Sequence, residues 1–151
     1  MKKALYACLG ILVTTVLVNV AGPARADEKA VRTLNVKLNY TGSGTVDDKH
    51  LIQVFLWDSP EFMNGGAMPI RMKSASSKNA TITFADFDKS PVYVSTAFDA
   101  NGGYNEVTGP PPSGSSVGLY SKDPGMPEPI KLEPGKTTEI VLAFDDSAKM
   151  P

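Results

Sequence analysis

Apolar and polar positions alternate with period two through most of the chain beyond residue 31. Leu34, Val36, Leu38 and Tyr40 share one face, and Asn35, Lys37 and Asn39 share the other. This pattern predicts a strand with one wet side. Thr41-Gly42-Ser43-Gly44 ends it. His50 to Trp57 is apolar on both faces except at Gln53, which predicts a central strand of a packed sheet. Asp58-Ser59-Pro60 stops that strand. Pro69 restricts any strand over Ala67–Met72 to a sheet edge, because it has no N–H to give to a ladder. Thr81 to Phe84 and Val92 to Asp99 read as further strands, the second rich in β-branched and aromatic residues. The Asn101-Gly102-Gly103 turn and Pro110, Pro111 and Pro112 exclude a core element between Ala100 and Gly114. Val117 to Tyr120 is a short strand, and a further one is expected from Glu128 or Ile130 to Leu132. Glu133-Pro134-Gly135-Lys136 has the residues of a type II turn leading into a last strand over Thr137 to Phe144. Asp145 onward reads as a frayed polar tail. Seven or eight short strands punctuated by Gly and Pro, with no helical periodicity, predict an all-β sandwich or barrel.

The first 26 residues follow a different pattern. Lys2 and Lys3 precede an apolar run from Ala4 to Ala21, and Ala24-Arg25-Ala26 supplies small residues at the −3 and −1 positions of a cleavage site. This is the layout of a bacterial secretory signal peptide, so residues 1–26 are expected to be removed and residues 27–151 to form one domain in the periplasm or outside the cell. No other segment is long and apolar enough to cross a membrane. Composition changes accordingly. The whole chain has 15 Lys+Arg against 16 Asp+Glu, and three of the basic residues lie in the leader, which leaves 12 against 16, a formal charge of −4. Nucleic acid and anionic membrane are poor partners for such a surface. The single cysteine, Cys8, is also in the leader, so the exported domain has no disulfide, thiolate metal site or cysteine nucleophile.

The order of motifs then becomes informative. Leu34-x-Val36-x-Leu38 is followed by Ile52-x-Val54-x-Leu56, then by Thr83-Phe84-Ala85-Asp86-Phe87, a turn, and Val92-Tyr93-Val94-Ser95-Thr96-Ala97-Phe98-Asp99. An Asn/Gly loop, a proline loop and the Pro134-Gly135 turn into Thr138-x-Ile140-x-Leu142 complete the series. This order resembles the transthyretin-like sandwiches of the carboxypeptidase regulatory-like type, which implies an all-β, antiparallel β-sandwich of seven to eight strands. Lys89-Ser90-Pro91 stands where such domains usually have a Pro-Gly turn. The resemblance implies a non-catalytic module and no particular ligand.

Candidate chemistry is sparse. Asp99, Asn101, Asn105 and Glu106 offer hard oxygen ligands around the flexible Gly102, a composition suited to Ca²⁺ as well as to a plain strand-ending turn. His50 is the sole histidine, too few for a zinc enzyme, and a Ser-His-Asp triad would require it. Together with Trp57, Met63, Met68 and Met72 it forms a soft set that suits Cu(I), although thioethers also serve as core fillers. The acidic pairs Asp47/Asp48, Asp86/Asp88 and Asp145/Asp146 fall in turns or the tail, where solvation is the default. Phe55 and Trp57 share a strand face that is either core or a stacking surface. Tyr104, Pro110, Pro111 and Tyr120 belong to or border the loops Asn101–Gly114 and Ser121–Pro129. These loops are the expected contact surface for a protein or small ligand.

Overall fold

The computed structural model describes residues 31–104 and 109–151. The expected signal segment therefore lies outside the described residues. Among the described residues there are seven strands: β1 (Arg32–Tyr40), β2 (Ile52–Trp57), β3 (Arg71–Ala75), β4 (Thr81–Phe87), β5 (Tyr93–Phe98), β6 (Ser116–Leu119) and β7 (Thr137–Phe144). They form a three-stranded sheet of order β4-β1-β7 and a four-stranded sheet of order β3-β2-β5-β6. The period-two residues of both sheets meet in one core. Leu34, Val36, Leu38 and Tyr40 of β1, with Ile140, Leu142 and Phe144 of β7, face Ile52, Val54 and Leu56 of β2 and Val94 and Phe98 of β5. Each such side chain contributes about 1.5–3 kcal/mol by leaving water. The arrangement is that of an all-β sandwich. Among the described residues no helix is long and apolar enough to cross a membrane.

One pairing departs from the antiparallel expectation. β1 and β7 run parallel, in register from Thr33 opposite Thr137 to Tyr40 opposite Phe144. Alternation fixes which face a residue takes and carries no information on strand direction. A parallel pair needs a long crossover, and here the whole intervening chain supplies it.

Element limits moved for local reasons. The edge strand expected at Ala67–Met72 begins instead at Arg71, because pairing can start only beyond Pro69, where Ile70 N–H donates to Leu56 O at 2.8 Å. β4 runs on to Phe87 through Asp86, which takes a left-handed φ of 57°, tolerated by aspartate. The short strand expected at Ile130–Leu132 is a single bridge from Ile130 to Val92. Leu132 N–H donates to Ser90 Oγ instead. The Glu133–Lys136 turn is as expected, with Gly135 at φ 70° and Lys136 N–H donating to Glu133 O.

The tail corrects the expectation of fraying. Gly114 and Val117 N–H donate to Met150 and Ala148 carbonyls, and Met150 N–H donates to Ser115 O. Residues 148–150 thus cover the free edge of β6, which would otherwise expose unpaired backbone groups. At Gly118, β6 presents no side chain to the core. A Cβ on Gly118 would lie 2.5 Å from Thr96 Oγ1 and 2.7 Å from Phe144 Cβ. Gly118→Ala is expected to destabilise the fold by about 1–3 kcal/mol through overpacking, read as a lower urea midpoint with an unchanged slope.

Candidate functional site

The two-faced apolar pattern of β2 has an unexpected outcome. Ile52, Val54 and Leu56 enter the sandwich core, whereas Phe55 and Trp57 belong to a separate apolar cluster with Ala97, Met72, Val117 and Tyr104. That cluster lies on the outer face of the four-stranded sheet. Strand register builds its floor. Phe55 is opposite Met72 on one side and Ser95 on the other, and Ser95 is opposite Leu119. In the next rung Gln53 lies between Ser74 and Ala97, and Ala97 is opposite Val117.

The walls come from three connections. After β2, Pro60–Asn64 forms one turn of 3-10 helix. Ser59 Oγ caps it by accepting from Glu61 N–H, and Gly65 ends it at φ 71°. This turn places Phe62 flat on Trp57, with ring centroids 4.6 Å apart and planes 14° from parallel. The Trp57 indole N–H is satisfied by Ser95 Oγ at 2.9 Å. Met63, Met68 and Pro69 continue the same wall. The second wall is Tyr104 with Gly109, Pro110 and Pro111. Tyr104 is tied down at both ends: its carbonyl accepts from Gln53 Nε2 at 3.3 Å, and its hydroxyl donates to Gly109 O at 2.8 Å. Ser74 Oγ in turn donates to Gln53 Oε1, so this buried amide is satisfied on both sides. Burial pushes the Tyr104 phenol above its ordinary pKa, which keeps it a neutral donor. The tail supplies Ala148 and Met150. Together these residues enclose a groove of about 760 Å³, and its described lining contains no acidic or basic side chain.

No protein-family model, curated protein or solved structure matches this chain. The assignment of function therefore rests on the groove and on the order of motifs.

The expected site residues divide clearly. Tyr104, Pro110 and Pro111 line the groove. Tyr120 does not: it packs against the inner core. Val117 lies on the outer face of β6 and Tyr120 is three residues further on, so strand alternation turns it inward. Of the loop Ser121–Pro129, only Gly125 reaches the groove. Asp99 is buried, and its carboxylate accepts from Asn101 N–H at 3.0 Å while its carbonyl accepts from Gly102 N–H, an Asx-type turn. Asn105 and Glu106, the other half of the proposed Ca²⁺ set, lie outside the described residues. Among the described residues no three His, Cys, Asp or Glu side chains gather to hold a metal.

The copper set is split. Met63, Met68, Met72 and Trp57 line the groove. His50 lies beyond the other end of β2, roughly 20 Å away at strand rise. Its Nδ1 is 2.8 Å from Asp47 Oδ1, and its ring packs on Gly102. The tail residues Ala148 and Met150 escaped the sequence reading: they carry no period-two signal, and their approach to β6 is a tertiary event. The available signal was the second apolar face of β2, which also fits a strand buried on both sides.

Proposed function

We propose that this chain is an exported, non-catalytic, transthyretin-like binding module that holds a neutral apolar ligand in the groove on the outer face of β2 and β5. One observation carries this reading: Phe55, Trp57, Met72 and Tyr104 sit outside the sandwich core around a groove whose described lining has no acidic or basic side chain. A sheet face serving only as a surface has no need of such residues, as the polar outer positions Asn35, Lys37 and Asn39 of β1 illustrate. The volume lies within the roughly 300–1,000 Å³ typical of small-molecule sites. Satisfied polar groups at Gln53, Ser95 and Tyr104 fix the floor and leave apolar contact as the main source of affinity. The two sheets of three and four strands and the Tyr93-to-Asp99 segment support the transthyretin-like reading. The Lys2-Lys3 start, the apolar run and the Ala24-Arg25-Ala26 ending support export. A protein partner inserting an apolar side chain past Tyr104 and Pro110–Pro111 would use the same surface.

A neutral fluorescent probe, N-phenyl-1-naphthylamine, tests the site. The wild type should bind it saturably, with energy transfer from Trp57, the sole tryptophan. Trp57→Ala should weaken binding, read from the probe's own emission, by at least about tenfold, which corresponds to about 1.4 kcal/mol. Equal affinity in the folded Trp57→Ala protein would remove the groove from the ligand's path.

A further inference from the structure

The methionines are distributed too unevenly to be core filler alone. Five of the six in the chain fall among the described residues, and four of those, Met63, Met68, Met72 and Met150, line the one groove. They come from three separate parts of the chain: the segment after β2, strand β3 and the tail. Met63 and Met68 are 49% and 82% exposed, so their thioethers are not consumed by packing. Met72 is anchored on β3 opposite Phe55, and the glycines at 65 and 66 separate Met63 from Met68.

We infer that Met63, Met68 and Met72 form a thioether site for a soft monovalent cation, Cu(I), with Met150 available as a fourth donor. The chemistry of the lining selects this class. Neutral sulfur donors bind soft cations, whereas Ca²⁺, Mg²⁺ and Zn²⁺ need carboxylate, imidazole or thiolate groups that the described lining does not supply. No Lys or Arg in that lining repels a cation. The methionine side chain has three rotatable bonds, which lets donors on the Pro60–Pro69 segment close on the anchored Met72. The stacked pair Trp57 and Phe62 sits beside them and offers an aromatic face to the bound charge. This inference shares the groove with the apolar-ligand reading but not its chemistry, so the two can fail separately.

Leucine separates them, because it keeps the volume and apolarity of methionine and removes the sulfur. Cu(I) in ascorbate would be titrated against the chromophoric chelator bicinchoninate, with Trp57 emission and native mass spectrometry recording uptake. The expected result is one Cu(I) per chain and quenched Trp57. The M63L/M68L/M72L protein should lose at least about 100-fold in Cu(I) affinity while its urea midpoint stays close to that of the wild type. Met126→Leu, outside the groove, should change nothing. Met68→Leu alone, at a mostly exposed position that cannot unfold the domain, should already weaken uptake. Failure of the wild type to compete with bicinchoninate, or unchanged Cu(I) affinity in Met68→Leu and the triple variant, would overturn the inference.

Discussion

Replacing Phe98 with alanine should cost about 4 kcal/mol of folding stability. Phe98 ends β5 and is 1% exposed. Its ring centroid lies 5.0 Å from that of Tyr40 on β1, and Tyr40 lies 4.8 Å from Phe144 on β7. These three rings therefore join the four-stranded sheet to the three-stranded one at this end of the sandwich. The β1–β2 connection closes over them. Gly44 passes so near the Phe98 ring that a Cβ there would collide with it, and Gly42 stands in the same relation to the Tyr40 ring. A chain held this closely cannot readily collapse into the space left by a deleted phenyl group. The loss should thus lie within the usual range of about 3–5 kcal/mol for Phe→Ala, transfer and cavity together. A domain of this size has roughly 5–15 kcal/mol in all, so the variant should be marginal at 37 °C. Urea unfolding checks this, with Val141→Ala as the reference. Val141 is on the solvent face of β7 at 58% exposure and should shift stability by no more than about 0.5 kcal/mol. A Phe98→Ala cost below about 1.5 kcal/mol would mean that the two sheets do not share this core.

The same contrast explains what could be read in advance. Leu34-Val36-Leu38-Tyr40 and Ile140-Leu142-Phe144 alternate with polar residues, and a strand with one wet side has only one way to place them. Both became core strands of the three-stranded sheet. β2 is ambiguous in principle, since apolar residues on both faces fit a strand covered twice. Here the second cover is partial, a 3-10 turn, a proline loop and the tail, and the gap they leave is the groove. Tyr104, Pro110 and Pro111 were expected from their place in a loop, and they line the groove. Tyr120, expected by the same logic, packs on the inner core instead, because membership of a loop region says nothing about which way the residue after a strand points. The tail misled for another reason. Asp145-Asp146-Ser147 has the composition of a solvated end, and only the tertiary structure reveals the donors that surround Asp146.

Those donors give Asp146 a structural role. Its Oδ1 accepts from Tyr40 Oη at 2.5 Å and Ser116 Oγ at 2.7 Å, and its Oδ2 accepts from Ser43 N–H at 2.8 Å and Ser43 Oγ at 2.9 Å. One carboxylate thus connects β1, the β1–β2 loop, β6 and the tail. Lys149 Nζ adds a contact at 3.5 Å and donates to Ser116 Oγ. Asp146→Ala should cost about 3 kcal/mol, since hydrogen bonds to a charged group contribute about 1.5–3 kcal/mol each, and partial exposure to water offsets part of the sum. It should also weaken probe binding in the groove, because Ala148 and Met150 follow the released residue.

The pH dependence carries a definite sign. The donors from Tyr40, Ser116 and Ser43 hold the Asp146 carboxyl well below the usual carboxylate range, whereas an unfolded aspartate titrates near about 3.9. The folded state therefore binds this proton less readily. The stabilisation is present in full above about pH 4 and declines as pH falls toward the lower folded value. Tyr40 acts at the other limit. Burial first, then its hydrogen bond to Asp146, raises its phenol above the ordinary value, so its contribution holds below about pH 10 and is lost as pH rises through the folded value. Urea unfolding at pH 7 and pH 3 should show the wild type losing stability in acid and Asp146→Asn losing distinctly less between the same two pH values. In Tyr40→Phe the acid-dependent loss should shrink, because the carboxylate keeps only the serine donors, and its high-pH limb should vanish. Parallel acid profiles for wild type and Asp146→Asn would assign the acid sensitivity to other carboxylates and remove Asp146 as the clasp between the tail and the two sheets.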